Sequence, residues 1–342
     1  MTYQIRLREE PFDFYSEFDD AEESWNTDFA ETWQGEGPGT SCPGDRYICW
    51  VQESLNKILG LRLVVDGRLG GPGSNTQKAI KRFQSSKGLP TRPDGVVCPD
   101  TEKALIAAGA SPPPGVMVAR PPETTPSGLT LYPDIPLQIP LGSAKSMIGI
   151  FVPEDYCNKQ LQVDLIVYLH GHKLRSHKPE FSIDKYWGLP EFLLREEVNK
   201  SKKNVILVAP TLGPKSEVGS LICPGGFDRF LDQVMTALKQ PGGPYAGKTP
   251  SIGNIILASH SGSVGAMRVI AMGTDASAAK VRECWAFDTE NMGDSRNWAA
   301  WAKSPRKLYI HFRSGRPGEE LCKKLLMGRV CRVVARSVVR RM

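Results

Sequence analysis

From residue 147 onward the chain alternates short apolar runs with amphipathic segments, and that alternation restricts the fold more than any other feature. The runs Met147 to Val152, Val163 to Leu169, Asn204 to Ala209, Asn254 to Ala258, Val281 to Phe287 and Lys307 to Phe312 read as strands. Helical spacing falls near Pro190 to Asn199, Phe227 to Lys239, Gly262 to Met272 and Asn297 to Lys303. Leu165 to Leu169 and Val205 to Ala209 are apolar almost throughout, as suits strands buried on both faces. Strands separated by helices imply an α/β layered fold with a mostly parallel sheet.

In such a sheet, sites form at the carboxyl ends of strands. His170-Gly171-His172 follows the second run, Pro210-Thr211-Leu212-Gly213 the third, Ser259-His260-Ser261 the fourth, and Asp288-Thr289-Glu290 the fifth. The fourth has the form of a nucleophile elbow. An apolar strand, Asn254 to Ala258, stops in small residues, and a helical pattern starts at Gly262. Ser259, Ser261 and Ser263 fill the small, nucleophile and small places of the pattern. A turn that tight needs small side chains, and it would hold the Ser261 hydroxyl out above the sheet.

The order of these turns resembles the α/β-hydrolase family. The resemblance implies an oxyanion hole built from His170 and Gly171 in the early turn and from the N–H of Gly262 behind the nucleophile. It also implies an acid after a later strand, for which Asp288 is the choice and Glu290 the alternative. The base of the family is a histidine in a loop after the last strand. The histidines of this chain are His170, His172, His177, His260 and His311. His311 is the latest, and it stands inside the run Leu308 to Phe312, where a packing role competes with a catalytic one. The segment Gly328 to Met342 does not resemble the family's closing strand, histidine loop and helix. A truncated or shifted end, or a triad that has lost its late histidine, is the expectation.

Residues 45–109 read as a compact helical module. Helices are expected near Tyr47 to Leu59, Asn75 to Lys87 and Asp100 to Ala108, from apolar residues at helical spacing. The module repeats itself weakly. Asp66-Gly67 precedes Thr76 and Ala79, and Asp94-Gly95 precedes Thr101 and Ala104. Each Asp-Gly makes a tight turn, and each Thr marks a helix start. Val51-Gln52, Val65 to Gly70, Phe83-Gln84, Gly88-Leu89, Asp94-Gly95-Val96 and Pro99 with Thr101 resemble the three-helix peptidoglycan-binding domain attached to many wall hydrolases. Cys98 departs from that family, which usually has Gly there.

The remaining stretches divide the chain. Residues 1–44 form an acidic arm: the first 40 contain eleven Asp or Glu and two Arg. Residues 110–128 are Pro- and Thr-rich and read as a linker. Residues 129–342 are the α/β-hydrolase-like domain, whose last 42 residues hold twelve Lys or Arg against two Glu. A solvated end explains that basic tail better than nucleic-acid binding, since interleaved aromatics are missing. No apolar run reaches the roughly 18 residues of a membrane span. Met1 to Glu10 has no apolar signal core, so synthesis in the cytoplasm, with release to the wall left open, is the expectation. The eight cysteines are dispersed with no C-x-x-C pair. They are expected to be mostly free and buried, with a Cys49–Cys98 or Cys42–Cys98 bridge as an open alternative.

Together these readings give a wall-targeted serine hydrolase of esterase type, with peptidoglycan or the bacterial cell wall as partner and an ester, either a small molecule or a wall lipid, as substrate. Ser261 is its nucleophile, Asp288 its acid and His311 its candidate base, with no cofactor and no metal. The architecture is similar to phage lysis esterases that cut lipid esters from the mycobacterial wall. The alternatives are a wall-binding protein with an impaired hydrolase domain, and a metal-dependent hydrolase using His170 and His172.

Overall fold

The computed structural model describes Cys42 and residues 44–70, 73–90, 95–114, 127–135, 137–139, 141, 144–172, 182–189, 192–287, 295–303, 305–311 and 332–333. The acidic arm before Cys42 lies outside this set. So do His177, Asp288, Glu290 and most of the basic end.

Three helices build the N-terminal module: α1 (Arg46–Leu59), α2 (Asn75–Ser86) and α3 (Pro99–Ala107). Asp45 caps α1, its carboxylate accepting from the N–H groups of Tyr47 (2.8 Å) and Ile48 (3.1 Å). Gly60 ends that helix with φ +63°, a left-handed closure that glycine adopts without strain. Tyr47, Ile48, Val51, Leu55, Ala79, Ile80, Phe83 and Leu105 fill the module's own core.

The weak sequence repeat is a repeat of hydrogen bonds. The buried Gln52 amide reaches from α1 to the Asp66-Gly67 turn. Its Nε2 donates to Arg68 O (3.0 Å) and Thr76 Oγ1 (3.2 Å), and its Oε1 accepts from the N–H groups of Asp66 and Gly67. Gln84 repeats the device from α2, donating to Val96 O (2.7 Å) and Thr101 Oγ1 (3.1 Å). Thr76 and Thr101 therefore sit in the first turns of α2 and α3 as acceptors for a buried amide. The cap of α2 is Ser74.

The second domain is an eight-stranded sheet in the order β1-β2-β4-β3-β5-β6-β7-β8. The strands are β1 (Gly128–Leu131), β2 (Ile148–Pro153), β3 (Gln162–Leu169), β4 (Ile206–Pro210), β5 (Ser251–His260), β6 (Val281–Phe287), β7 (Lys307–His311) and β8 (Arg332–Val333). Strand β2 runs antiparallel to both its neighbours, and from β4 to β8 all pairs are parallel. The domain's helices are α4 (Ile183–Trp187), α5 (Leu194–Ser201), α6 (Gly226–Lys239), α7 (Val264–Ala271) and α8 (Ser295–Trp301).

Alternation along β3 sorts the two layers. Leu165, Val167 and Leu169 join the core under α6, α7 and α8, with Phe230, Val234, Met267 and Trp298. Ile166 and Tyr168 join the opposite core, with Ile183, Tyr186 and Trp187 of α4 and Val198 of α5. Successive side chains of a strand point to opposite faces, so the unbroken apolar run Leu165 to Leu169 requires a helix layer on each side.

The cysteines depart from expectation. Cys42 pairs with Cys49, and Cys98 pairs with Cys223 across the two domains, with Cα atoms 6.3 and 5.7 Å apart. Cys157 and Cys284 are free. Spacing in the sequence says nothing about a bridge over 125 residues; only the docking of α3 beside the start of α6 brings that pair together.

Candidate active site

Strand β5 ends at His260, and the chain turns at once through a 3-10 turn, Ser261–Ser263, into α7. Ser261 takes a φ of +50°. A side chain held in that region costs about 1–3 kcal/mol unless its surroundings enforce it. The enforcing contacts are visible. Ser263 is fully buried, and its Oγ donates to the carbonyl of Leu169 at the end of β3 (2.7 Å) and accepts from His260 N–H (3.2 Å). Ser259, also fully buried, places its hydroxyl 3.3 Å from Met267 Sδ in α7. The elbow is thus pinned to the strand before it, the strand beside it and the helix after it.

The turn after β3 lies directly against the elbow. A Cβ added at Gly171 would stand 2.5 Å from His260 Nδ1 and 3.1 Å from Ser261 Cβ. A Cβ added at Gly262 would collide with the His172 imidazole. Glycine at both positions allows the two turns to approach this closely. The sequence singled out Gly171 and Gly262 together, and the structure brings them to the same spot.

The histidines divide by what their rings do. His170 is buried, its ring tilted by 31° against that of Tyr186, with Nδ1 donating to Gly171 O (2.8 Å) and Nε2 accepting from Leu212 N–H (3.1 Å). Both nitrogens are engaged, so the ring braces the turn and has no lone pair left for an ion. His260 uses its ring to accept the Ser263 N–H, which occupies the single acceptor of a neutral imidazole. His311 ends β7 and stacks on Phe287, ring centroids 4.8 Å apart. Register pairs His260 with Phe287 and Phe287 with His311, so β6 separates His311 from the elbow strand by two strand spacings, roughly 10 Å. His172 is exposed, its ring lies over Gly262, and among the described residues it has no hydrogen-bond partner. Sequence reasoning placed His172 in the turn after β3 but did not bring it to Gly262; contact across two turns leaves no trace in spacing.

Asp288 and Glu290 lie outside the described residues; Asp288 follows Phe287 directly and Glu290 comes two residues later. Among the described residues no group of three or more His, Cys, Asp or Glu could hold a metal ion, and no helix is long and apolar enough to cross a membrane.

With the geometry in place, comparison with known proteins can be read. Residues 47–105 match the family described as "Putative peptidoglycan binding domain". The Gln52 and Gln84 turns lie inside that match. The chain thus joins a module similar to a peptidoglycan-binding domain to an α/β sheet domain of hydrolase-like strand order. No curated protein matches the chain. Among solved structures it is similar to an S-formylglutathione hydrolase from Agrobacterium tumefaciens, at 12% identity and a TM-score of 0.37, covering 65% of this chain and 90% of that one. A thermostable esterase matches at 13% identity and a TM-score of 0.32, covering 56% of this chain and 50% of that one. The chain therefore spans half the length of that esterase. A ferulic acid esterase from Anaeromyces mucronatus matches at 16% identity and a TM-score of 0.30, covering 56% and 76%. These likenesses are distant, and the fold assignment of the hydrolase-like domain rests on its sheet order and its elbow.

Proposed function

We propose that this wall-targeted protein is a serine esterase in which Ser261 is the nucleophile. The observation that carries the reading is the left-handed φ of Ser261 between a buried strand and a helix, held there by two buried serines. Ser261 Oγ attacks the acyl carbon of an ester. The oxyanion is met by the N–H of Gly262 and by the His170-Gly171 turn. The alkoxide leaves with a proton, and water then releases the acid from the acyl-enzyme. Asp288, one residue past the Phe287 that pairs with His260, is the proposed acid.

Two histidines compete as the base. His311 has the later place in the chain. His172 has the geometry: its ring lies against the residue after the proposed nucleophile, and among the described residues it has no hydrogen-bond partner. We take His172 as the base. Free serine is a weak nucleophile near neutral pH, so a base is required for useful rates.

A fluorophosphonate probe and a soluble p-nitrophenyl ester test the reading together. Wild type should label, and Ser261→Ala should abolish labelling and lower ester hydrolysis by about 10³-fold or more. His172→Gln should cost about 10²-fold or more in kcat/KM, while His311→Gln stays near wild type; the reverse order returns the base to His311. A wild type that neither labels nor hydrolyses the ester leaves a wall-binding protein with a silent hydrolase domain.

A further inference from the structure

The two domains meet through a covalent bond, ion pairs and side-chain hydrogen bonds. Cys98, at the start of α3, is bonded to Cys223, just ahead of α6. Beside it, Glu102 of α3 pairs with Arg229 of α6, their side chains only 9% and 18% exposed. Tyr47 of α1 donates its hydroxyl to the same carboxylate (2.8 Å), and its ring lies 5.7 Å from the Arg229 guanidinium. Gln138 of the second domain is fully buried. Its side chain accepts from the N–H of Val97 and donates to Gly95 O (3.3 Å), so it plugs the second Asp-Gly turn of the module. At the edge, Arg46 reaches Asp134 (3.5 Å).

A buried ion pair adds little net stability, because desolvation offsets most of the attraction. It is intolerant of displacement, as are the side-chain amide bonds of Gln138. A covalent bond, a buried ion pair and a plugged turn therefore fix orientation more than they add affinity. A module tethered by 19 flexible residues would sweep a radius of roughly 25 Å; this one holds a single position.

We infer that Cys98, Cys223, Glu102, Arg229 and Gln138 are positioning residues that select for an ester carried on the immobile polymer the module holds, at a fixed offset from it, over an ester free in solution. This rests on the esterase reading above. A flexible tether raises the local concentration of any bond within reach, whereas a locked one favours only bonds at one displacement. Soluble esters are indifferent to the lock.

The test compares two butyrate esters: p-nitrophenyl butyrate in solution, and insoluble peptidoglycan sacculi whose glycan hydroxyls have been butyrylated. The variants are Cys98→Ser with Cys223→Ser, and Glu102→Gln with Gln138→Ala. Both should keep soluble turnover and co-sedimentation with sacculi near wild type, and lose about tenfold or more in butyrate release from sacculi. Retention of the sacculus rate in the unlocked variants overturns the proposal. So does a wild type that hydrolyses the soluble ester but not the sacculi. A wild type that hydrolyses neither sinks the esterase reading and this proposal with it. Should the variants fold poorly, small-angle scattering of the unmodified chain decides: one compact particle is expected, and a distribution of separated domains overturns the lock.

Discussion

Of the tightly packed turns with left-handed backbone, one in each domain shows how differently such a turn can be filled. In the binding module the turn at Gly67 has φ +69°, and in the hydrolase domain the turn at Ser261 has φ +50°. The first is made of glycine with a glutamine amide beneath it. The second is made of serine, with buried serines on either side. Where the fold needs only a reversal, glycine supplies it without strain. At Ser261 the chain keeps a strained residue and holds it with the hydrogen bonds of its buried neighbours. The contrast teaches that the supports of a strained residue are as diagnostic as the residue itself, since Lys202 and Ser216 share the left-handed φ of Ser261 without its flanking buried serines.

The sharpest way to break the contrast is to put a side chain where glycine is needed. Gly67→Ala drives a Cβ into the backbone at Asp45 and Gly44, and also forces alanine into left-handed φ. We expect a loss of about 3 kcal/mol in the module's unfolding free energy, measured by denaturant titration. Next comes the amide beneath the turn. Gln52→Ala strands the N–H groups of Asp66 and Gly67, the Arg68 carbonyl and the Thr76 hydroxyl together, and should cost about 2–3 kcal/mol. Gln84→Ala breaks only the bonds to Val96 and Thr101 and should cost less, about 1–2 kcal/mol. Equal costs would show that the two copies are energetically alike despite their unequal bonding.

A smaller effect comes from Asp45, whose N–H donates to Gly67 O (3.1 Å). Burial first, then proximity to Asp134, raises its carboxyl from the usual range to about 6, against hydrogen bonds from Ile48, Ser146 and Tyr47 that lower it. The folded carboxyl therefore keeps its proton where the unfolded one, near 3.8, has lost it. Between those values the native state binds more protons. The contribution of this group should be greatest below pH 4 and fall as pH rises to 6, by about 1–2 kcal/mol after allowing for solvent at this partly exposed side chain. Melting curves across that range should show the step, and Asp45→Asn should remove it. The smallest effect is at the elbow itself. Ser261→Gly relieves the strained φ and should raise thermal stability by about 1 kcal/mol while activity is lost. A destabilised Ser261→Gly would mean that the hydroxyl, not the backbone, is what the surroundings favour.

Much of this was legible in the residues. The periodicity of Ile48, Val51, Leu55 and Leu59 marks α1, and continuous apolar runs mark β4 and the Leu165 to Leu169 part of β3, because burial on both faces leaves no polar position there. The elbow shows as three small residues after a strand. Strand β1 was hidden because Gly128 to Leu131 borders a Pro-rich stretch, and α4, five residues long, is too short to display a period. The buried roles of Ser259 and Ser263 had a faint signal. Serine, where smaller glycine would serve, brings a hydroxyl that must find a partner once buried. The cross-domain bridge and the contact of His172 with Gly262 had none, since both depend on how separate segments dock.

The plug that Gln138 drives into the turn at Gly95 and Val97 has a consequence for anyone wishing to borrow the module. Cut away from its neighbour, it would carry a raw edge: an amide and a carbonyl stripped of their partner, and a bare thiol at Cys98 beside them. Such a fragment is primed to couple to a second copy of itself in air. The portable unit for a fusion or an affinity reagent is therefore a version with serine at 98, or the two domains taken whole.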